Sequence, residues 1–291
     1  MEQLAHEAKT AQDLLMDESD NYISIDELVA AIPDGAKLAV PKDKSGVAME
    51  ATRALIRRGV KNLHLVCVPV SGMQADLLIG AGAISIIECS GVSLDEYGPA
   101  PRFAQAIRSG KIAIRDATCP AVYSALLAAE KGVPFIPIRG LIGSDVLKHR
   151  TDWKVIQNPL AETDDPIVIL PAIIPDVALV HAAIGDRYGN IWVGQRRELV
   201  LLAHAAKTTL ATVEEIYDGN LIEDEKLVGS TISALYVTAR AHAPKGAWPL
   251  EMSGRYPCDG EHIRAYAQAA RSDQGFADYL AEHVFETRAA A

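Results

Sequence analysis

The sequence predicts an α/β protein built on an open, mostly parallel sheet with flanking helices, and two observations carry that prediction. Short apolar runs alternate with amphipathic segments of helical spacing, and Gly or Pro punctuates the junctions between them. A parallel sheet covered by helices on both faces produces this rhythm, because each strand must return through a crossover that packs on the sheet.

The elements follow in order. A first strand ends near Val40. Ala48, Ala51 and Leu55 recur at helical spacing with Glu50, Arg53, Arg57 and Arg58 opposite them, and Gly59 supplies the stop. Leu63 to Val70 reads as a strand, Gln74 to Gly82 as a helix, Ile84 to Cys89 as a strand and Pro101 to Ser109 as a helix opened by prolines. The alternation continues with a strand at Ile112 to Arg115, a helix at Ala121 to Lys131 and a strand at Val133 to Ile138. Past Leu141 the rhythm changes. Ile167 to Leu170, Val177 to His181 and Ile191 to Val193 follow one another through tight turns, so the sheet is expected to become mixed there. Gly185 to Asn190 has the chemistry of a strand reversal. Arg197 to Ala206 reads as a helix, Thr208 to Ile216 as a strand, and Glu261 to Ala270 and Gln274 to Phe285 as closing helices. No linker, repeat or low-complexity block divides the chain, so one domain with a peripheral C-terminal portion is expected.

Composition bounds the function. With 291 residues, 49% hydrophobic and 23% charged, the chain has the makings of an ordinary folded globular protein. Its 28 basic against 38 acidic residues leave a net charge of −10, which argues against tracking a nucleic-acid backbone. The four cysteines, Cys67, Cys89, Cys119 and Cys258, lack C-x-x-C spacing, so neither a zinc ribbon nor a thioredoxin-type motif is present and reduced, buried thiols are expected. No apolar run reaches the ~18 residues of a membrane span, and the start of the chain shows no basic-then-apolar signal; a cytoplasmic protein is expected. P-loop, dinucleotide, zincin and nucleophile-elbow motifs are absent. His181 and His204 sit in apolar stretches and read as core histidines rather than ligands.

Chemistry in a parallel sheet belongs in the loops after the strands' carboxyl ends, and four such loops stand out. Pro41-Lys-Asp-Lys-Ser-Gly46 lies before a helix whose amides would face an anion; Lys42, Lys44, Ser45 and Gly46 suit a phosphate or carboxylate, while a solvated turn is the alternative. Val70-Ser-Gly-Met-Gln74 has small residues, Ser71 and Gly72, that let a ligand approach the backbone, or it is a plain turn. Ser90 to Pro101 is long for a strand-to-helix connection and carries Asp95, Glu96, Tyr97 and Gly98; its carboxylates become acid or base only if desolvated. Arg139-Gly-Leu-Ile-Gly-Ser-Asp145 offers Arg139 and Gly140 to an anion, or Arg139 to a structural ion pair.

Several segments carry a resemblance. His181-Ala-Ala-Ile-Gly-Asp-Arg-Tyr-Gly-Asn190, Ala241-His-Ala-Pro-Lys-Gly-Ala-Trp-Pro249 and Asp259-Gly-Glu-His-Ile-Arg264 resemble the α subunits of family I CoA-transferases, that of glutaconate CoA-transferase in particular. So do Ile25 to Val40, Gly98-Pro-Ala-Pro-Arg-Phe103 and Pro134-Phe-Ile-Pro-Ile-Arg-Gly140. The resemblance runs from about Ser24 to about Phe285, making 24–291 the α-subunit domain and 1–23 an N-terminal extension. It implies the CoA-transferase fold shared with sugar-phosphate isomerases and a CoA-transferase β subunit of similar fold for a partner, in a heterodimer or heterotetramer. It also implies a coenzyme A thioester and a carboxylic acid for substrates, with no bound cofactor or metal. In such enzymes a glutamate of the β subunit, within a Ser-Glu-Asn-Gly type motif, becomes acylated and then carries CoA. That motif is absent from this chain. Where the family carries a Gly-Gly-Phe loop after the first strand, this chain has Pro41 to Gly46. Related pairs hydrolyse CoA esters or open rings, which would make Glu96 a catalyst of this chain. A chain that only binds and shapes its partner's site is the third reading. CoA's phosphates make Lys42, Lys44 and Arg139 the expected anion contacts.

Overall fold

The computed structural model describes residues 22–286, so the expected N-terminal extension lies outside the described residues except for Tyr22 and Ile23. The first half is the expected alternation: α1 (Ile25–Ala30), β1 (Lys37–Pro41), α2 (Met49–Arg58), β2 (Leu63–Val68), α3 (Met73–Gly80), β3 (Ile84–Cys89), α4 (Pro101–Ser109), β4 (Ala113–Asp116) and α5 (Cys119–Glu130). Then come β5 (Phe135–Ile138), α6 (Val146–His149), β6 (Lys154–Gln157), β7 (Pro166–Pro171), β8 (Val177–Asp186), β9 (Ile191–Trp192) and α7 (Arg197–Ala205). The last elements are β10 (Thr208–Tyr217), β11 (Thr231–Ile232), β12 (Ala239–His242), α8 (Gly260–Ala269) and α9 (Asp273–Leu280).

One parallel run crosses the molecule in the order β12, β10, β8, β1, β2, β3, β4. The far end of β8 turns through Asp186 to Asn190 and pairs antiparallel with β9, which pairs with β11, so this nine-stranded sheet is mixed there as expected. Two strands depart from expectation. The segments Phe135 to Ile138 and Pro166 to Pro171, expected in the same sheet, form a separate three-stranded antiparallel sheet with β6. An apolar run fixes that a strand is buried on a face; it carries no record of which sheet owns it.

Side chains of the central strands alternate between two cores, one on each face of the sheet. Leu38, Val40, Leu63, Leu65 and Cys67 join α2 and α3 on one side, while Ala39, Val66, Val68, Ala178 and Val180 face α5 and α7 on the other. The closing helices, expected to be peripheral, bury Tyr266, Phe276 and Tyr279 in the first core. Tyr266 Oη and the Phe103 amide both donate to Asp76 on α3, each at 2.7 Å, which ties α8 and α4 to that helix. The expectation of buried thiols holds for Cys67 and Cys89, whereas Cys119 is exposed and Cys258 half-buried; all four are free. No helix among the described residues is long and apolar enough to cross a membrane.

Candidate functional site

Because β1, β2 and β3 are parallel, the loops that follow them emerge at one edge of the sheet. There they enclose a cleft of about 370 Å³ lined by Lys42, Asp43, Lys44, Ser71, Gly72, Ser93, Asp95, Arg196 and Glu251. A neighbouring cavity of about 330 Å³, whose lining includes Gly46, His181, Trp192 and Gly254, shares Lys44 and Arg196 with it. The structure thus brings together Lys42, Lys44, Ser71 and Gly72 around one space and places Gly46 on the next.

The backbone of the first loop is shaped for close contact. Lys44 and Gly46 both have positive φ, 67° and 76°, and a Cβ on Gly46 would come within 2.3 Å of the His181 carbonyl oxygen. The helix start behind the loop is not the expected anion-facing one. The Met49 amide donates to the Val47 carbonyl and the Glu50 amide to the Gly246 carbonyl, so α2's first amides are already used. The aspartate between the two lysines reaches across to α3 instead. Asp43 Oδ2 accepts from the Met73 amide at 3.0 Å, capping α3, and Gly72 is required beside it because a Cβ there would lie 2.2 Å from that oxygen.

Asp43 is the most perturbed acid of the cleft. Burial pushes its carboxyl up to about 7, with nearby Asp95 adding to the rise, against the opposing pull of the Met73 and Gly72 amides and of Lys44. Its second oxygen, Oδ1, is shut off from solvent and has no hydrogen-bond partner, and neither has the buried hydroxyl of Ser71. Asp95 itself holds a positive φ of 50°.

The remaining expected residues lie elsewhere. Ser45 is fully buried and donates to Glu198 Oε1 at 2.5 Å, so its hydroxyl is committed within the protein. The Glu96 side chain is 53% exposed and pairs with Lys44 Nζ at 3.3 Å. Its own backbone amide and Lys44 hold its carboxyl below the usual range, an ionised group in solvent rather than a desolvated acid. Gly98 ends the 3₁₀ turn Asp95–Tyr97, with φ 106°, outside both cavities. Arg139, beside Gly140 in the turn after β5, is bidentate to Asp165, at 2.9 and 2.6 Å, so the structural ion pair is what this arginine makes. Gly140 likewise lines neither cavity.

Behind the cleft, His181 is buried, as expected of a core histidine, but it has company. Its ring nitrogens lie 2.8 Å from Thr212 Oγ1 and 2.9 Å from Glu214 Oε2, and Glu214 also accepts from the Lys245 amide and the Tyr256 hydroxyl. Burial pushes the Glu214 carboxyl up, yet these donors together hold it below its ordinary value. His204, half-buried, stacks against Tyr236 with ring centroids 3.9 Å apart.

This architecture has known counterparts. The coenzyme A transferase family model matches residues 22–236, and the chain belongs to that family. An uncharacterized protein of Archaeoglobus fulgidus is 32% identical over 82% of this chain, which spans 53% of that longer protein. The A-type subunit of 3-oxoadipate CoA-transferase from Pseudomonas knackmussii is 28% identical over 88% of this chain and 90% of its own length. The cholesterol ring-cleaving hydrolase IpdA subunit of Rhodococcus jostii is 29% identical over 93% and 94%. In structure, the glutaconate coenzyme A-transferase of Acidaminococcus fermentans matches with a TM-score of 0.84, covering 92% of this chain and 90% of that one at 23% identity.

Proposed function

We propose that this chain is the α-type subunit of a heteromeric CoA-transferase that moves CoA between an acyl-CoA and a carboxylic acid. The observation that carries the reading is the meeting of Lys42, Lys44, Ser71 and Gly72 at the carboxyl edge of β1 and β2 in a chain of the coenzyme A transferase family. Cationic side chains over a small-residue turn suit an anionic acyl thioester, and the relatives called 3-oxoadipate and glutaconate CoA-transferases take their names from acids with two carboxylates. Lys42 and Lys44 hold the substrate's anionic groups, and Glu96 serves by fixing Lys44. With Glu96 exposed and ion-paired, the nucleophilic carboxylate comes from the β subunit. Relatives named as subunits support that partner, as does the exposure of Ile114, Phe135, Val155 and Ile156 on β4, β5 and β6.

The test uses the complex purified with its co-expressed β subunit. Incubation with a panel of acyl-CoAs and carboxylic acids should yield new acyl-CoAs by mass spectrometry, and hydroxylamine or borohydride should trap a modified glutamate on the partner. Charge reversal, Lys42→Glu or Lys44→Glu, should raise the KM for acyl-CoA about tenfold or more. Absence of exchange with every pair tried, or charge-reversed variants of unchanged KM, would sink the reading.

A further inference from the structure

A groove of about 330 Å³ runs between α4 and α8 and adjoins the cleft: Asp95 lines the cleft and Tyr97, two residues on in the same turn, lines the groove. Pro101, Ala104 and Arg108 share one face of α4, and across from them lie Ala267 on α8 and Arg271 just past its end. The alanines keep the floor of the groove low. Tyr97 closes the end nearest the cleft, its hydroxyl 3.2 Å from Cys258 Sγ. Gly260, where α8 begins, is required beside it, because a Cβ there would come within 2.8 Å of the Tyr97 hydroxyl oxygen. The Arg264 guanidinium carbon lies 5.3 Å from the centroid of the same ring. What the groove lacks is acid. Among the described residues Arg108, Arg264 and Arg271 pair with no carboxylate, and Asp273, which Gln105 reaches from the groove wall at 3.1 Å, is also bound by Arg102. The whole chain carries 38 acidic against 28 basic residues, so three arginines without a counter-ion around one space reverse its general balance. Gathering like charge costs free energy that an anionic ligand recovers.

We infer that the groove between α4 and α8 holds the 3′-phosphoadenosine end of the acyl-CoA, with Arg108 and Arg271 on the ribose 3′-phosphate. The inference rests on the acyl-CoA cleft proposed above, which takes the thioester end. Its volume falls within the ~300–1,000 Å³ range of small-molecule sites, and its lining is apolar at the Tyr97 and Pro101 end and cationic at the other. The order of groups along the groove matches the order along the ligand. From the thioester in the cleft the pantetheine arm passes over the Asp95–Tyr97 turn, the diphosphate meets Arg264 beside Tyr97, the adenosine lies over Ala104 and Ala267, and the 3′-phosphate arrives between the two terminal arginines. Arginine suits that last contact, since its planar fork donates two parallel hydrogen bonds to phosphate oxygens. Arg139, the other arginine of the carboxyl-edge loops weighed for this role, is held by Asp165 and is not available for it.

The experiment measures exchange in the complex with its β subunit, using an acyl-CoA and the same acyl thioester of dephospho-CoA, which lacks the 3′-phosphate. Wild type should show a KM about tenfold higher for the dephospho substrate. In the double variant Arg108→Gln, Arg271→Gln the KM for acyl-CoA should rise about tenfold and the difference between the two substrates should vanish, while the KM for the dephospho substrate stays where it was. Adenosine 3′,5′-bisphosphate should compete with acyl-CoA in wild type and lose that effect in the double variant. Both arginines are exposed at helix ends, and the competition in wild type needs no variant at all. Equal KM values for the two substrates in wild type, failure of the bisphosphate to compete, or a difference that persists in the double variant overturns the assignment and leaves the transferase reading standing. Absence of exchange by wild type with every acyl-CoA and acid tried removes both.

Discussion

A carboxyl group pushed up to about 7 is one whose ionised form the fold disfavours, and that has a measurable consequence at Asp43. An unfolded aspartate titrates near 3.8, so the folded chain binds the proton more tightly. The neutral group's contribution to stability is therefore whole below about pH 4 and lost as the pH climbs through about 7. A gap of that size is worth ~4 kcal/mol at most. Asp76, pushed up to about 6 by burial on α3, acts in the same sense and must be separated from it. Asp43→Asn isolates the cleft residue: denaturant unfolding at pH 5 and pH 8 should show the variant gaining relative to wild type at pH 8. An equal difference at both pH values would mean that the fold does not hold Asp43 neutral. The two lysines of the Lys-Asp-Lys-Ser-Gly loop singled it out as a candidate, and the structure places both on the cleft. The burial of the aspartate between them was not legible there, because Gly72, Met73 and Asp95, which the fold brings up to it, lie 29 to 52 positions further along the chain.

At the scale of elements, the site is braced by a clasp between neighbouring parallel strands. Thr212 and Glu214 on β10 hold His181 on β8, and Glu214 gathers the Lys245 amide and Tyr256 hydroxyl from the segment that also brings Glu251, Met252 and Gly254 to the two cavities. Glu214→Gln keeps the shape and removes the charge that these donors satisfy. It should lower stability by about 1–3 kcal/mol and speed amide exchange in 245–256, read by denaturation and hydrogen exchange. Unaltered exchange there would mean that the clasp does not order the segment. Strands β1 to β4 and their helices were readable because continuous apolar runs and Gly stops mark them. The segment Ala239–His242 was not, since Ala-Arg-Ala-His has no β-branched or aromatic residue and becomes β12 only by pairing with β10. Likewise Lys154–Gln157, with only Val155 and Ile156 apolar and both well exposed, is too short a run to read as a strand and becomes β6 by pairing with β7.

Across the whole molecule, the small antiparallel sheet is joined to the edge of the large one through a buried charge network. Arg150, just before β6, reaches Glu88 on β3 at 2.7 Å and the Asp116 carbonyl on β4 at 3.2 Å, while Asp152 grips its other side at 2.9 Å. Its guanidinium carbon lies 3.9 Å from the centroid of the Trp153 ring, and His64 on β2 approaches Glu88 at 3.3 Å. Burial raises the Glu88 carboxyl, but His64 and Arg150 more than offset this and hold it ionised below its ordinary value. Removing the arginine alone leaves a buried carboxylate short of its strongest partner, whereas removing both members leaves only packing to repair. Arg150→Leu should therefore cost about 3–5 kcal/mol, and the double variant Arg150→Leu, Glu88→Gln should recover much of that loss. Additive losses in the double-mutant cycle, by urea unfolding of the purified complex, would show that the two side chains act independently. The three-stranded sheet would then be held on the large one by Leu126, Val168 and Leu170 of the second core rather than by charge.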